Sequence, residues 1–232
     1  MLSHPPDIVA TMSRRTTHIG YPGASPRRLA RTRRWRARLV ATAGVLAASL
    51  LLVAGLPLAG LGVLLAALAS RSVLAGRAER AAAGANAERR VAEHLGRLRA
   101  DVIIHNARSP GFSGDVDIVV LGPMAAAVEV KLGAGKVRLA ADGQVRVAGR
   151  LLPGRPLRQA VAMAAATRRT TGLAAPVAAV LCVSEMRQRP RLVDVDGVAV
   201  WVTSARHLRR VLLRLPHHLD RAEAHVAASI YE

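Results

Sequence analysis

The main pattern in the chain is one long uncharged run, followed by shorter segments with the periodicity of helices and strands. Residues 39–70 are 32 consecutive residues without a charged side chain. A membrane-spanning helix needs about 20 apolar residues, so this run is too long for a single upright span. Residues 55–60 place Gly and Pro near its middle, which favours a break in the helix. We therefore expect a transmembrane segment over 39–70 in the form of a helical hairpin, with one tilted, kinked span as the alternative.

Arginine is dense on both flanks of this run. Residues 1–38 contain nine Arg against one acid, Asp7, and lack apolar periodicity, so we expect a disordered basic arm. Arg71, Arg77 and Arg80 follow the run. Because positive charge tends to remain in the cytoplasm, we expect both ends of the hairpin, and the domain that follows it, on the cytoplasmic side of the cell membrane. A cleaved signal peptide is disfavoured, since its apolar core has about 7–15 residues.

Beyond residue 70 the periodicity predicts an α/β domain. A linker over 71–84 leads to a domain over 85–215, and a C-terminal helix or tail occupies 216–232. The predicted strands cover 101–107, two strands within 114–131 joined by a Gly122-Pro123 turn, a hairpin over 136–150, 178–184 and 198–202, and predicted helices begin near 85, 156 and 204. The chain has no Gly-rich phosphate loop, Cys/His zinc spacing or nucleophile elbow, which disfavours the corresponding classes of enzyme.

Acidic residues interrupt two strands that should otherwise be apolar. Residues two apart on a strand share a face, which groups Asp115 with Asp117 and Glu129 with Lys131. Pairing of these strands would bring two or three carboxylates and one ammonium into a small volume. Unpaired buried charge is costly, and a partner or a metal ion is the usual relief. This stretch is therefore the candidate site.

Glu88 lies on the apolar stripe of the helix predicted from residue 85, together with Val91 and Ala92. A Glu in the first turn of a helix is stabilised by the helix dipole, which would explain it structurally. Beside the acidic strands, a functional role is favoured.

The charge of the chain indicates a polyanionic neighbour. The formal net charge is +19 and the pI is about 11.8, which favours nucleic acid or acidic lipid as a partner. Lys136, Arg138 and Arg146 form a basic face on the predicted hairpin and are candidates for contacts with phosphates, although an ordinary solvated face is as consistent. Aromatic residues make up only 2% of the chain, which argues against base stacking as the main mode of binding. The single cysteine, Cys182, excludes an intramolecular disulfide.

The order of these features resembles the core of PD-(D/E)XK nucleases, and residues 84–183 resemble the NERD (nuclease-related) domain of bacterial membrane-tethered proteins. The matching segments are Ala87-Glu88-Arg89-Arg90, Gly114-Asp115-Val116-Asp117, Val128-Glu129-Val130-Lys131 and Pro156-Leu157-Arg158-Gln159. The resemblance implies a restriction-endonuclease-like core, a mixed sheet flanked by helices, preceded here by the transmembrane segment. The chain departs from the family pattern at Ile118, where His is usual, and at 125–127, where Ala replaces larger side chains.

The resemblance also implies roles for individual residues. Its catalytic residues would be Glu88, Asp117, Glu129, Lys131 and Gln159. Mg²⁺ or Mn²⁺ would be bound by Asp117 and Glu129, with Glu88 as a third acid acting directly or through water and Asp115 as the alternative ligand. Lys131 would hold or activate the nucleophile, and Gln159 would orient the group.

Three hypotheses follow for the function. The first is a membrane-tethered, metal-dependent nuclease that hydrolyses phosphodiester bonds of nucleic acid, with DNA as the expected substrate. The second is a catalytically weak or inactive nuclease-like module that binds nucleic acid or a protein partner at the membrane, which the departures at Ile118 and 125–127 favour. The third is a membrane protein without enzymatic activity, in which the acids form plain salt bridges with Arg89 or Arg90.

Overall fold

The computed structural model describes residues 16–96, 98, 100–109, 112, 114–140 and 144–231. The elements in chain order are β1 (Thr17–Ile19), α1 (Ala24–Val53), α2 (Pro57–Leu95), β2 (Val102–Arg108), β3 (Asp115–Leu121), β4 (Ala125–Gly135), β5 (Val137–Leu139), β6 (Val145–Val147), β7 (Arg150–Leu151), α3 (Pro156–Thr171), β8 (Ala178–Met186), β9 (Arg191–Val195), β10 (Val198–Thr203), α4 (Ala205–Leu212) and α5 (Arg221–Ser229). The predicted class, α/β with a mixed sheet flanked by helices and preceded by apolar helices, is confirmed at this level.

Helices α1 and α2 form an antiparallel pair joined by the short turn at 54–56, so the predicted break falls at the Gly-Pro region. Both helices are long and apolar enough to cross a membrane. Small residues allow close packing, since a Cβ atom on Gly44 would lie 2.1 Å from the Cβ of Ala67. The apolar arms 39–53 and 57–70 are each about 21–22 Å long, shorter than the roughly 30 Å hydrocarbon core of a bilayer. Two such arms suit a hairpin better than one continuous span.

Two of the expected boundaries differ from the structure. Helix α1 begins at Ala24, so residues 24–38 are helical rather than part of a disordered arm, whereas residues 1–15 lie outside the described part of the chain. The expected linker over 71–84 is helical, because α2 continues without a break to Leu95. The buried face of these stretches consists of alanine, including Ala30, Ala37 and Ala78, which favours helix but produces little apolar periodicity.

The larger sheet has seven strands in the order β1-β2-β3-β4-β8-β10-β9. Strands β2, β3 and β4 are antiparallel neighbours, whereas β4 and β8, and β8 and β10, are parallel. Apolar residues cover both faces, with α3 and α5 packed on one face and α4 and the C-terminal part of α2 on the other. The packed body therefore extends beyond the expected range of 85–215, since β1 and α5 belong to it.

The predicted hairpin over 136–150 is confirmed by its register, in which Val137 pairs with Val147 and Leu139 with Val145. Its predicted turn at 141–143 lies outside the described residues. Strand β1, which pairs in parallel with β2, was not predicted, because three residues are too few to show a strand periodicity.

Cysteines introduced at Arg38 and Arg71 are expected to react with a membrane-impermeant maleimide from the same side of the membrane, because α1 and α2 run antiparallel. Oriented membrane vesicles provide the measurement. The background is low, since the natural Cys182 is buried. Labelling of the two positions from opposite sides would replace the hairpin with a single span.

Candidate functional site

Asp117 and Glu129 lie where strands β3 and β4 separate. The ladder between these strands runs from the pair Leu121–Ala125 to the pair Ile118–Val128. Beyond that pair, the Val130 N–H donates a 2.7 Å hydrogen bond to Asp117 Oδ2. A carboxylate thus takes the place of a backbone acceptor, which places the acids of the two strands beside each other.

Glu129 is the most deeply buried member of this group, with 1% of its side chain exposed. Its carboxylate forms an ion pair with Lys131 Nζ, and neither carboxylate oxygen accepts a hydrogen bond from any other described residue. Lys131 Nζ also lies 3.5 Å from Gln159 Oε1, which α3 supplies near its N-terminus. Buried carboxylate oxygens are normally satisfied, so Glu129 Oε2, which Lys131 does not pair, is a candidate oxygen ligand for a cation.

Glu88 joins the group from α2 and is buried. Its Oε2 accepts a 2.9 Å hydrogen bond from the backbone N–H of Gly23, the residue that caps the N-terminus of α1. The first-turn explanation of Glu88 is wrong, because α2 begins at Pro57 and Glu88 lies in its last third. Its position instead depends on the contact between the N-terminus of α1 and the C-terminal part of α2.

Electrostatics connect the three acids. Burial raises the pKa of Glu88 from 4.5 to about 7, against the opposing effect of the Gly23 hydrogen bond, and repulsion from Glu129 and Asp115 adds to the rise. Burial, with repulsion from Glu129 and Glu88, raises the pKa of Asp117 well above its usual value. Burial also raises the pKa of Glu129, although the neighbouring Lys131 ammonium opposes the change. Three carboxylates that resist ionisation together are a setting in which a cation would be stabilising.

Asp115 differs from these acids because it is only partly buried. Its Oδ1 lies 3.7 Å from Arg108 Nε, an ion pair at the edge of the group. Among the residues of the third hypothesis, Arg90 pairs with Glu185 and not with the acids of the strands. The acidic group is therefore not a set of plain salt bridges with Arg90.

The basic residues proposed for phosphate contacts lie on a separate small sheet. Arg138 on β5 and Arg146 on β6 are directly opposite each other in the register and are exposed, and Lys136 precedes β5. Like charges directly opposite each other are destabilising without a counter-ion, which is compatible with an anionic partner.

The fit of a metal can be judged from the oxygen atoms. In the described ranges, no three or more His, Cys, Asp or Glu side chains form a group arranged to hold a metal ion. Mg²⁺, however, is usually bound through one or two carboxylates and several waters. Asp117 and Glu129 provide hard oxygen donors, and the Glu129 oxygens have no hydrogen-bond partner in the described residues. The pair fits a two-carboxylate Mg²⁺ or Mn²⁺ site, whereas Glu88 is not part of a ready three-ligand arrangement.

Comparisons with protein-family models, with curated proteins and with solved structures found no match to this chain. The function is therefore inferred from the geometry of the site and from the order of its residues along the chain.

The sequence did not predict the contact of Gly23 with the site, because Gly23 lies 65 positions from Glu88. It has φ +70, and a Cβ atom on it would lie 2.7 Å from the Ala85 carbonyl oxygen. The left-handed conformation and the close approach both require glycine. A Gly followed by a helix rich in Arg was the only sequence signal, and it is too common to identify such a contact.

Gly23→Ala is expected to destabilise the protein more than Gly172→Ala, a control with φ +66 and open space around its Cβ position. The control carries only backbone strain, of about 1–2 kcal/mol. Gly23→Ala adds the clash with Ala85. The backbone shift that relieves this clash would lengthen the hydrogen bond from the residue 23 N–H to Glu88, a further loss of about 1–3 kcal/mol. Thermal unfolding measures the difference. Equal melting shifts would show that the contact with Ala85 relaxes freely.

Proposed function

We propose that this chain is a membrane-tethered, metal-dependent nuclease that hydrolyses phosphodiester bonds of nucleic acid, with DNA as the expected substrate. The observation that carries the proposal is the contact of Lys131 Nζ with both Glu129 and Gln159, beside Asp117. These are the residue types, in the same order along the chain, of the PD-(D/E)XK site that the sequence resembles.

The topology gives further support. Helix α2, three antiparallel strands β2–β4, helix α3 and the parallel strand β8 follow one another in the order expected for a restriction-endonuclease-like core. Of the departures from the family pattern, Ile118 is buried in the apolar cluster that α2 and α4 cover. Ala127 is likewise part of a core. These departures change packing and leave the acids, the lysine and the amide in place.

The roles follow from chemistry. A bound Mg²⁺ would be held by Asp117 and Glu129, and would supply Lewis acidity and an oriented water. The Lys131 ammonium would contact the attacking water and a phosphate oxygen, and Gln159 Oε1, which lies 3.5 Å from Nζ, would hold that ammonium in position. Glu88, with a pKa of about 7, exchanges a proton near neutral pH, which suits a general acid or base.

The tether is the α1–α2 hairpin. Its apolar arms would enter the membrane, and the arginines on both flanks favour a cytoplasmic position for the domain. Glu88 then lies about 27 Å along α2 from the end of the apolar run at Ser70, so the hairpin would hold the site outside the headgroup layer.

The test is cleavage of labelled single-stranded DNA, duplex DNA and RNA by the full chain in nanodiscs, with Mg²⁺, Mn²⁺ or EDTA. The full chain is needed because a protein that starts near Arg71 would lack β1 and Gly23. We expect metal-dependent cleavage, and metal should raise the melting temperature by mass action. Glu129→Ala should remove both effects, whereas Glu185→Ala, at an exposed glutamate, should retain them.

Two results would contradict the proposal. Nucleic-acid binding without cleavage under every metal condition would indicate the inactive module. Melting that is insensitive to metal in both the wild-type protein and Glu129→Ala would show that the acids do not form a metal site.

A further inference from the structure

A cleft of about 1180 Å³ lies between α1 and the edge of the sheet formed by β1 and β2. Its lining includes Tyr21, Arg28, Arg36, Arg108, Asp115 and Tyr231. Asp115 also interacts electrostatically with Glu88, so one end of the cleft adjoins the acidic group. A ligand in this cleft would therefore extend towards the proposed site.

Positive charge lines the cleft in a regular arrangement. Arg28, Thr32 and Arg36 are spaced four residues apart, which places them on one face of α1. The two arginines are separated by about 12 Å along the helix. Arg108 faces them from β2, with 84% of its side chain exposed. This spacing suits a ligand with several phosphates in a row rather than one small anion.

The aromatic residues provide an independent observation. The chain has only two tyrosines, and both line this cleft. Tyr21 is 80% exposed, which is unusual for a large aromatic side chain without a partner. Exposed aromatic rings beside basic residues are the usual platform for the bases of a single strand. In this cleft the exposed ring of Tyr21 is thus the candidate platform for one base.

The wall of the cleft also contains an unsatisfied polar atom. His105 is 4% exposed, and its Nδ1 has no hydrogen-bond partner in the described residues. Its ring stacks on that of His18, with centroids 5.7 Å apart. The stacked pair forms part of the cleft wall, and Nδ1 itself is buried behind it.

Lipid headgroups are the other source of phosphate near a membrane. The apolar run begins at Leu39, eleven residues after Arg28, so Arg28 lies about 16 Å along the helix from the hydrocarbon boundary. The headgroup layer is only about 5–8 Å thick on each side. Lipid would therefore reach Arg36 but not Arg28, which favours nucleic acid for the whole cleft.

We propose that this cleft binds a single nucleic-acid strand, with phosphates on Arg28, Arg36 and Arg108 and a base stacked on Tyr21. The direction of the strand towards the acidic group rests on the proposed function, whereas binding in the cleft does not.

The test is binding of a fluorescent oligothymidylate to the full chain in neutral phosphatidylcholine nanodiscs, with EDTA to prevent cleavage, over a series of salt concentrations. Arg28→Gln combined with Arg36→Gln should weaken binding and reduce the salt slope by about 1.4, since each phosphate contact on a single strand contributes about 0.7. Arg27→Gln combined with Arg34→Gln removes the same charge from another face of α1 and should preserve most of the slope. Tyr21→Ala should weaken binding about 5-fold or more.

Three results would contradict the proposal that this cleft binds a single nucleic-acid strand. The first is an equal loss of affinity and slope in both double variants, which would indicate non-specific attraction. The second is equally tight binding of a blunt duplex with the same sensitivity to Arg28 and Arg36. The third is that the Arg28→Gln and Arg36→Gln double variant loses binding to anionic vesicles but keeps its binding to the oligonucleotide, which would assign these arginines to lipid. Binding of the strand without cleavage would contradict the proposed nuclease activity and support strand binding in the cleft. Cleavage that is unaffected by substitution of Arg28 and Arg36 would support the nuclease activity and contradict strand binding in the cleft.

Discussion

Lys131→Arg is expected to lower the cleavage rate by about 10²-fold or more while the fold and metal binding persist. The chain uses 32 arginines and only two lysines, so a lysine in the acidic group is not explained by charge alone. The ammonium is compact and fits between Glu129 and Gln159 in a position that is only 23% exposed. A guanidinium demands a planar fork of partners and would crowd the attacking water.

Lys136→Arg, at the other lysine, is the matched control for this experiment and should be nearly silent. Cleavage kinetics of the full chain in Mg²⁺ give the comparison, and metal-induced stabilisation shows whether the site remains intact. Near wild-type cleavage by Lys131→Arg would make the lysine a structural counter-ion and would refute the proposed mechanism.

Metal-free protein is expected to lose stability as the pH rises from about 4.5 to about 7, because of Glu88. Its pKa is higher in the folded protein than in the unfolded chain, so the folded state binds more protons in this range and stability falls with increasing pH. At roughly 1.4 kcal/mol per pKa unit, this shift in the pKa of Glu88 lowers the free energy of unfolding by up to about 3 kcal/mol. Mg²⁺ should restore stability above pH 7, since the cation favours the ionised acids.

Glu88→Gln should remove the part of this dependence that comes from Glu88, because the amide carries no charge and its oxygen still accepts the Gly23 N–H. Asp117 and Glu129, whose pKa values are also raised, should keep their part. In EDTA at pH 8 the variant should melt at a higher temperature than the wild-type protein, and the difference should disappear below pH 4.5. Glu93→Gln, at an exposed glutamate of the same helix, is the control and should follow the wild-type profile. An unchanged pH profile in Glu88→Gln would show that Glu88 is solvated and not coupled to the acids.

The tether and the site share structural elements. The first residues of α1 supply the Gly23 N–H to Glu88, and β1 pairs with β2 at the edge of the sheet. The same helix then continues into the apolar run. Strain on the hairpin would thus reach Glu88 through one hydrogen bond.

The local pattern of the sequence was sufficient for the central strands and for α3. Side chains alternate along a strand, so Glu129 and Lys131 had to share one face and Val128 the other, and the burial of Val128 and Val130 in one apolar cluster agrees with this. The Gly122-Pro123 turn set the pairing of β3 with β4. Helix α3 was predicted from residue 156 and begins at Pro156, because apolar periodicity and a proline at the start are local signals.

Only the tertiary structure decided which distant groups meet the acids. Lys131 and Gln159 are 28 positions apart, and Gly23 and Glu88 are 65 positions apart. In the wall of the cleft beside Arg28, His18 contacts His105 across 87 positions. Such contacts depend on how α1, α2 and the sheet pack, and packing of small alanine and glycine faces leaves almost no periodic trace in a sequence. Local periodicity determines which face a side chain occupies, whereas the packing of whole elements determines what that side chain touches.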